Sequence, residues 1–147
     1  MQIMKSLSEI KKGCELPEFH KTLSQTEILE YAIASGDFNR IHIDGEYARR
    51  ADFKGTIAHG MLLLGFVESM HRRYFGDLWS SGGSLDVKFK RPVHPGDIIN
   101  IKSLVSSVNI GPNDVTIFCD VKADNGCDTI LTGIAKLNIK REDSPSN

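Results

Sequence analysis

Hydrophobic positions along this chain repeat every three or four residues in its first half and every two in its second. The helical half begins at Leu23-Ser24-Gln25-Thr26-Glu27-Ile28, where Ser24 and Glu27 have capping-box spacing and Leu23 and Ile28 can close a hydrophobic staple around them. Ile28, Tyr31 and Ala32 continue the apolar stripe, and Gly36 supplies a left-handed stop that delivers Asp37 just beyond the helix. Asp44 is placed to cap a second short helix through about Arg50, and Lys54-Gly55-Thr56 breaks the chain before the longest helical run, roughly Ala58 to Tyr74. Met61, Leu62, Leu63, Leu64, Phe66 and Val67 leave that run no polar face for two turns, which predicts a core helix enclosed on most sides. Glu68, His71, Arg72 and Arg73 make its later part amphipathic.

After Gly76 the period becomes two. Leu85, Val87 and Phe89 alternate with Asp86, Lys88 and Lys90, and segments 97–108, 114–123 and 129–139 read as further strands. Pro92 to Gly96, Gly111-Pro112-Asn113 and Asp124-Asn125-Gly126 are the turns between them, and Ser81-Gly82-Gly83-Ser84 reads as a loop. A short strand near Leu16 to Lys21 is expected to join from the front. The whole predicts an α+β fold, an antiparallel sheet packed against one long helix. A chain of 147 residues has the bulk for a single sizeable core. Residues 1–140 are therefore expected to form one domain and 141–147, REDSPSN, a polar frayed tail.

Composition narrows the classes of partner. The 18 basic and 19 acidic residues nearly cancel, which argues against nucleic acid and anionic membrane but leaves room for a local basic cluster on a small anionic ligand. Cys14, Cys119 and Cys127 are odd in number and lack CxxC spacing, so neither a disulfide framework nor a zinc site is expected. The N-terminal stretch has no apolar core of signal-peptide length, and the densest apolar run, Met61 to Val67, is too short to span a bilayer. A soluble, cytoplasmic protein is expected. No GxGxxG, Walker A, GxSxG or HExxH occurs, so no nucleotide cofactor is implied.

The candidate chemistry lies in SGDFNRIHID, Ser35 to Asp44, where Asp37 and His42 stand five residues apart. Five steps of regular helix would set the two side chains about 140° apart, so they converge only if the segment is not regular helix. Gly36, Asp37 and Asn39 favour a turn that aims both into one pocket. An imidazole beside a carboxylate can bind and activate a water, one group removing a proton and the other delivering one. The competing reading is a capped loop holding an ordinary satisfied histidine. Ala58-His59-Gly60-Met61 opens the long helix, where unpaired N–H groups and the positive dipole end can hold an oxyanion; alternatively Gly60 only permits tight packing. His20, His71 and His94 read as surface or structural. Lys88, Lys90 and Arg91 read as a solvated strand face, with ligand phosphates as the alternative partner.

SGDFNRIHID followed by TIAHGMLLLGF resembles the MaoC-like, hydratase-2 group of (R)-specific enoyl-CoA hydratases, whose loop runs S-G-D-x-N-P-hydrophobic-H ahead of an H-G-M helix start. SLDVKFKRPVHPGDIINIKSLV is similar to that family's strand, proline turn and G-D strand, so the likeness covers about Leu23 to Val108, with a weaker extension to Lys140. The resemblance implies the hotdog fold, a curved antiparallel sheet wrapped around a long central helix, usually as a dimer. It implies reversible syn addition of water to a trans-2-enoyl thioester of CoA or acyl carrier protein, giving an (R)-3-hydroxyacyl thioester, with no metal and no redox cofactor. Carried over by position, Asp37 and His42 are the water-activating dyad, and Gly60 offers its N–H to the thioester oxygen. Asn39 orders the loop or the water, and Asn39, His59, Met61 and Leu64 are the substrate contacts. One departure stands out: Arg40 replaces the family's proline, and either leaves the turn more mobile or adds a cation near the pocket mouth. Glu68, one turn after Leu64, either caps an acyl tunnel, binds a polar substrate group or faces solvent. A hotdog thioesterase and a non-catalytic acyl-thioester-binding subunit are the alternative functions.

Overall fold

The computed structural model describes residues 7–140; the expected tail, 141–147, lies outside the described residues. The helical half consists of α1 (Gln25–Ser35), α2 (Arg40–Ile43), α3 (Gly45–Arg50), α4 (Gly60–Phe75) and α5 (Asp77–Gly82). Five strands, β1 (Phe19–Thr22), β2 (Gly83–Phe89), β3 (Ile98–Ile110), β4 (Asp114–Asp124) and β5 (Thr129–Lys140), form one antiparallel sheet in the order β1-β3-β4-β5-β2. The last three strands make a meander, and the two earlier ones close its edges.

Local chemistry sets the ends of these elements. Ser24 and Glu27 form the full capping box at the start of α1, and Gly36 closes it with φ 76°. Asp44 caps α3 by accepting the N–H groups of Glu46 and Tyr47. In the sheet, Ile99, Ile101 and Val105 of β3, Ile117, Cys119 and Val121 of β4, and Ala135 and Leu137 of β5 alternate inward. They meet Leu63, Val67, Met70 and Phe75 of α4 in a single core.

Two expectations are corrected. The long helix is not enclosed on most sides: it buries the stripe Leu63, Val67, Met70, His71 and Phe75, while Met61 is 59% exposed and Gly65 lies at the surface. One sheet covers one side of a helix, so the second apolar face remains open. Ser81-Gly82-Gly83-Ser84 is not a loop, because α5 runs directly into β2 at Gly83. The glycines serve close approach, since a Cβ on Gly83 would stand 2.5 Å from the Trp79 carbonyl oxygen. Buried Trp79 anchors α5 beneath the end of α4.

His71 is structural, as expected, and sits within the core. Its Nδ1–H donates to the Val67 carbonyl at 2.8 Å, and the Ser103 hydroxyl meets its Nε2 at 2.9 Å. The ring stacks on Trp79 at 4.8 Å. Burial pushes the imidazole pKa below its ordinary 6.5, against the opposing pull of the Val67 carbonyl. Burial likewise raises the nearby Cys119 thiol to about 11, which keeps it protonated and inert. The unfolded chain therefore binds a proton at His71 before the folded chain does. This contribution to stability is complete above pH 6.5 and is lost as pH falls toward the folded-state value. Urea unfolding followed by tryptophan fluorescence between about pH 5 and 8 is expected to show this decline. His71→Leu, less stable throughout because Ser103 loses its partner, is expected to flatten the decline; an unchanged slope would mean that other groups cause it.

Candidate active site

Beyond Gly36 the chain leaves the helix and bonds to itself. The Ser35 hydroxyl accepts the Asp37 N–H at 3.2 Å, Asp37 Oδ1 accepts the Asn39 N–H at 3.1 Å, and Asn39 Oδ1 caps α2 through the Ile41 N–H at 3.3 Å. Asp37 thus sits before the cap, and His42 sits within the single helical turn that follows. The expected irregular turn is this break followed by a short helix. Its effect is that one nitrogen of His42, one nitrogen of His59 and one carboxylate oxygen of Asp37 lie within 4.8 Å of one another.

His42 is 7% exposed, and its Nδ1–H donates to the Ile57 carbonyl at 2.8 Å. A carbonyl oxygen can only accept, so this bond fixes the tautomer and leaves the lone pair on Nε2. The turn around it is tied down as well. Gln25 Nε2 donates to the His42 carbonyl at 3.0 Å, the Thr56 hydroxyl donates to Gln25 Oε1 at 2.5 Å, and the Ile57 N–H donates to the Ile41 carbonyl at 3.1 Å. Gln25 and Ile57 were not among the sequence candidates. Gln25 carries no signal beyond a helix start, and Ile57 acts through its backbone, which no side chain advertises.

His59 is the N-cap of α4 but does not cap it with its side chain. The first N–H groups of α4, those of Gly60 and Met61, therefore form the positive end of the helix without that partner. The His59 ring turns back to the loop, where Nε2–H donates to the Asp37 carbonyl at 2.9 Å. Its face lies on the His42 ring with centroids 3.7 Å apart and planes 27° from parallel, and Tyr31 closes at 4.9 Å. His59 Nδ1 is buried without a hydrogen-bond partner. With one nitrogen of each ring spent on a carbonyl, the carboxylate of Asp37 and the remaining nitrogen of His42 are placed for proton transfer.

Gly60 borders a cavity of about 310 Å³ together with Ile57, Leu63, Phe89 and Val93, and a Cβ at position 60 would stand 3.2 Å from the Phe89 ring. Asp37 and His42 are not in that lining; His59, peptide-bonded to Gly60, reaches them by its hydrogen bond to the Asp37 carbonyl and its stacking on His42. A wider cleft of about 720 Å³, with Arg49, Lys54, Arg91 and His94 on its walls, shares Phe53, Arg91 and Pro92 with the smaller cavity. Of the other candidates, Met61 is exposed beside Gly60, Leu64 is half-buried, and Asn39 spends its oxygen on the α2 cap. Lys88, Lys90 and Arg91 are all exposed, and His94 is structural, bonding the Thr56 carbonyl at 2.9 Å.

The Arg40 guanidinium pairs with Asp44 at 2.6 Å and lies 4.4 Å above the Tyr47 ring. The Tyr47 N–H and then Arg40 hold the Asp44 carboxyl below the usual aspartate range. Arg40 is the first residue of α2, a position where proline is also at home, because the N–H there needs no helical partner. The brace from Arg40 to Asp44 and Tyr47 holds from outside the turn that a proline ring would hold from within.

A family model described as MaoC like domain matches residues 9–125. The chain is 33% identical over 110 residues to an (R)-specific enoyl-CoA hydratase of Rhodospirillum rubrum, covering 72% of this chain and 73% of that protein. It is 24% identical over 123 residues to a 3-hydroxybutyryl-CoA dehydratase of Methylorubrum extorquens, covering 84% and 77%. Among solved structures, the unliganded R-hydratase PhaJ1 of Pseudomonas aeruginosa superposes with a TM-score of 0.71 at 24% identity, over 92% of this chain and 85% of that one. That last likeness is one of architecture, and the architecture is the hotdog fold.

Proposed function

The chain belongs to the MaoC-like domain family, whose model spans residues 9–125, and on that footing we propose that it is a hydro-lyase. It adds water to a trans-2-enoyl thioester to give an (R)-3-hydroxyacyl thioester, or runs the reverse dehydration. The observation that carries this reading is the Asp37–His42–His59 cluster, with the His42 tautomer set by Ile57 and the N-terminus of α4 beginning at the next residue.

In the forward direction His42 Nε2 takes a proton from water as the water oxygen bonds to C3. Asp37, whose second carboxylate oxygen is free of the loop, accepts the other water hydrogen and orients the molecule. The C2=C3 electron pair moves toward the thioester, and the charge collects on its oxygen, facing the Gly60 N–H. His42 then returns the proton to C2. The oxygen and the hydrogen arrive from one side, the electrons balance, and His42 ends neutral. Asn39 orders the loop, and Met61 and Leu64 lie along the acyl chain. The domain spans residues 1–140 and acts as a homodimer. Met61, Phe38 and Phe89 are exposed apolar side chains beside the site, the kind of surface that a second copy would cover.

Hydration of crotonyl-CoA, and of the same acyl group on acyl carrier protein, tests the reaction. Asp37→Asn and His42→Ala are each expected to lower kcat by about 10²- to 10⁴-fold. Gly60→Pro removes the N–H while suiting the first helical position, and His59 already has the extended ψ of 136° that a residue before proline needs. It is expected to cost about 10²- to 10³-fold more than Gly60→Ala, which keeps the donor. Equal rates in wild type and both dyad variants would sink the reading, release of free thiol would point to a thioesterase, and binding without turnover would point to a carrier subunit. Sedimentation velocity is expected to give twice the chain mass, and Met61→Glu to shift the population toward monomer. A wild-type monomer at micromolar concentration would remove the dimer.

A further inference from the structure

The geometry points to His59 as a positioning residue that holds Asp37 and His42 in register, in place of the substrate contact expected of it; this rests on the hydro-lyase reading. Neither of its nitrogens is offered to a ligand. Nε2–H is spent on the Asp37 carbonyl at 2.9 Å, and Nδ1 is closed off from solvent inside a residue only 2% exposed. What His59 offers instead is a donor at one edge and a flat face, and each meets a different member of the dyad.

The donor pins the backbone of Asp37, which follows the left-handed Gly36 and whose side chain and N–H bond only to neighbours in its own loop. The face supports the ring of His42 at 3.7 Å, on a side that the Ile57 bond does not constrain, since that bond lies in the ring plane. Tyr31 of α1 backs His59 at 4.9 Å, and the His59 backbone opens α4 ahead of Gly60. One side chain therefore indexes the loop, the imidazole and the helix end to one another. A reacting water held between two groups tolerates little error: displacement by about 1 Å costs on the order of 100-fold in rate. The unpartnered Nδ1 fits the same role. With that nitrogen closed off, the ring acts through its one donor and its flat face, as a spacer.

Two substitutions separate the two contacts. His59→Phe keeps the flat face and removes the donor, whereas His59→Gln keeps an N–H at similar reach and removes the face. Thermal unfolding verifies the fold of each, and both CoA and acyl-carrier enoyl thioesters are assayed. We expect His59→Phe to lower kcat about 10- to 100-fold with KM within about twofold of wild type, and His59→Gln to recover part of that loss. A raised KM with unchanged kcat would restore His59 as a substrate contact, and wild-type values for both constants would leave it no role. Should His59→Phe not fold, His59→Gln is judged by the same split between kcat and KM. A wild type inactive on both thioesters would overturn the hydro-lyase reading itself, an outcome distinct from an active wild type with indifferent His59 variants.

Discussion

A buried backbone must find partners for every N–H and C=O it carries, and here that demand falls on three residues, Thr56, Ile57 and Ala58. The Thr56 carbonyl takes the His94 ring, the Ile57 N–H reaches the Ile41 carbonyl, the Ile57 carbonyl takes the His42 ring, and the Ala58 N–H reaches the Val93 carbonyl. This strip has no regular strand partner, so its bonds go to α2 on one side and to the chain between β2 and β3 on the other. The turn that carries the imidazole is bonded to it, and the long helix starts two residues further on. Its bonds are short and mostly shielded from water, where an unmade one would cost about 1 to 3 kcal/mol.

The sheet and α4 supply the rigid half of the design. Leu63, Val67, Met70 and Phe75 lock the helix against the inward rows of β3, β4 and β5, so the helix end does not wander. Sixteen residues of helix converge their dipole on the His59–Gly60 junction. Both imidazoles give one N–H to a carbonyl oxygen, and the Asp37 side chain stays exposed at the rim.

Local rules made much of this legible. The capping box at Ser24, the stop at Gly36, the cap at Asp44 and the alternation in β3 to β5 are each written in residue types that bond or pack within a few positions. The Asp37 and His42 convergence could be stated only as a condition, since spacing constrains angles but not distances. What stayed hidden depends on partners far along the chain. Gly82 and Gly83 looked like a loop until Asn138 and Trp79 came close enough to exclude a side chain. The open face of α4 depends on how much helix one sheet can cover. Ile57 contributes a carbonyl that any amino acid would provide, and the bond from the His59 ring to the Asp37 carbonyl spans 22 residues, beyond the reach of any local pattern.

Arg40 has one further consequence. A proline ring restrains a turn by covalent geometry, which dissolved ions do not alter. The hold of Arg40 on Asp44 is Coulombic and sits at the surface, where it is screened over about 8 Å at physiological ionic strength. The stiffness of the turn bearing His42 is therefore partly a property of the medium. A chain built this way exchanges a fixed joint for one whose tension follows the salt around it.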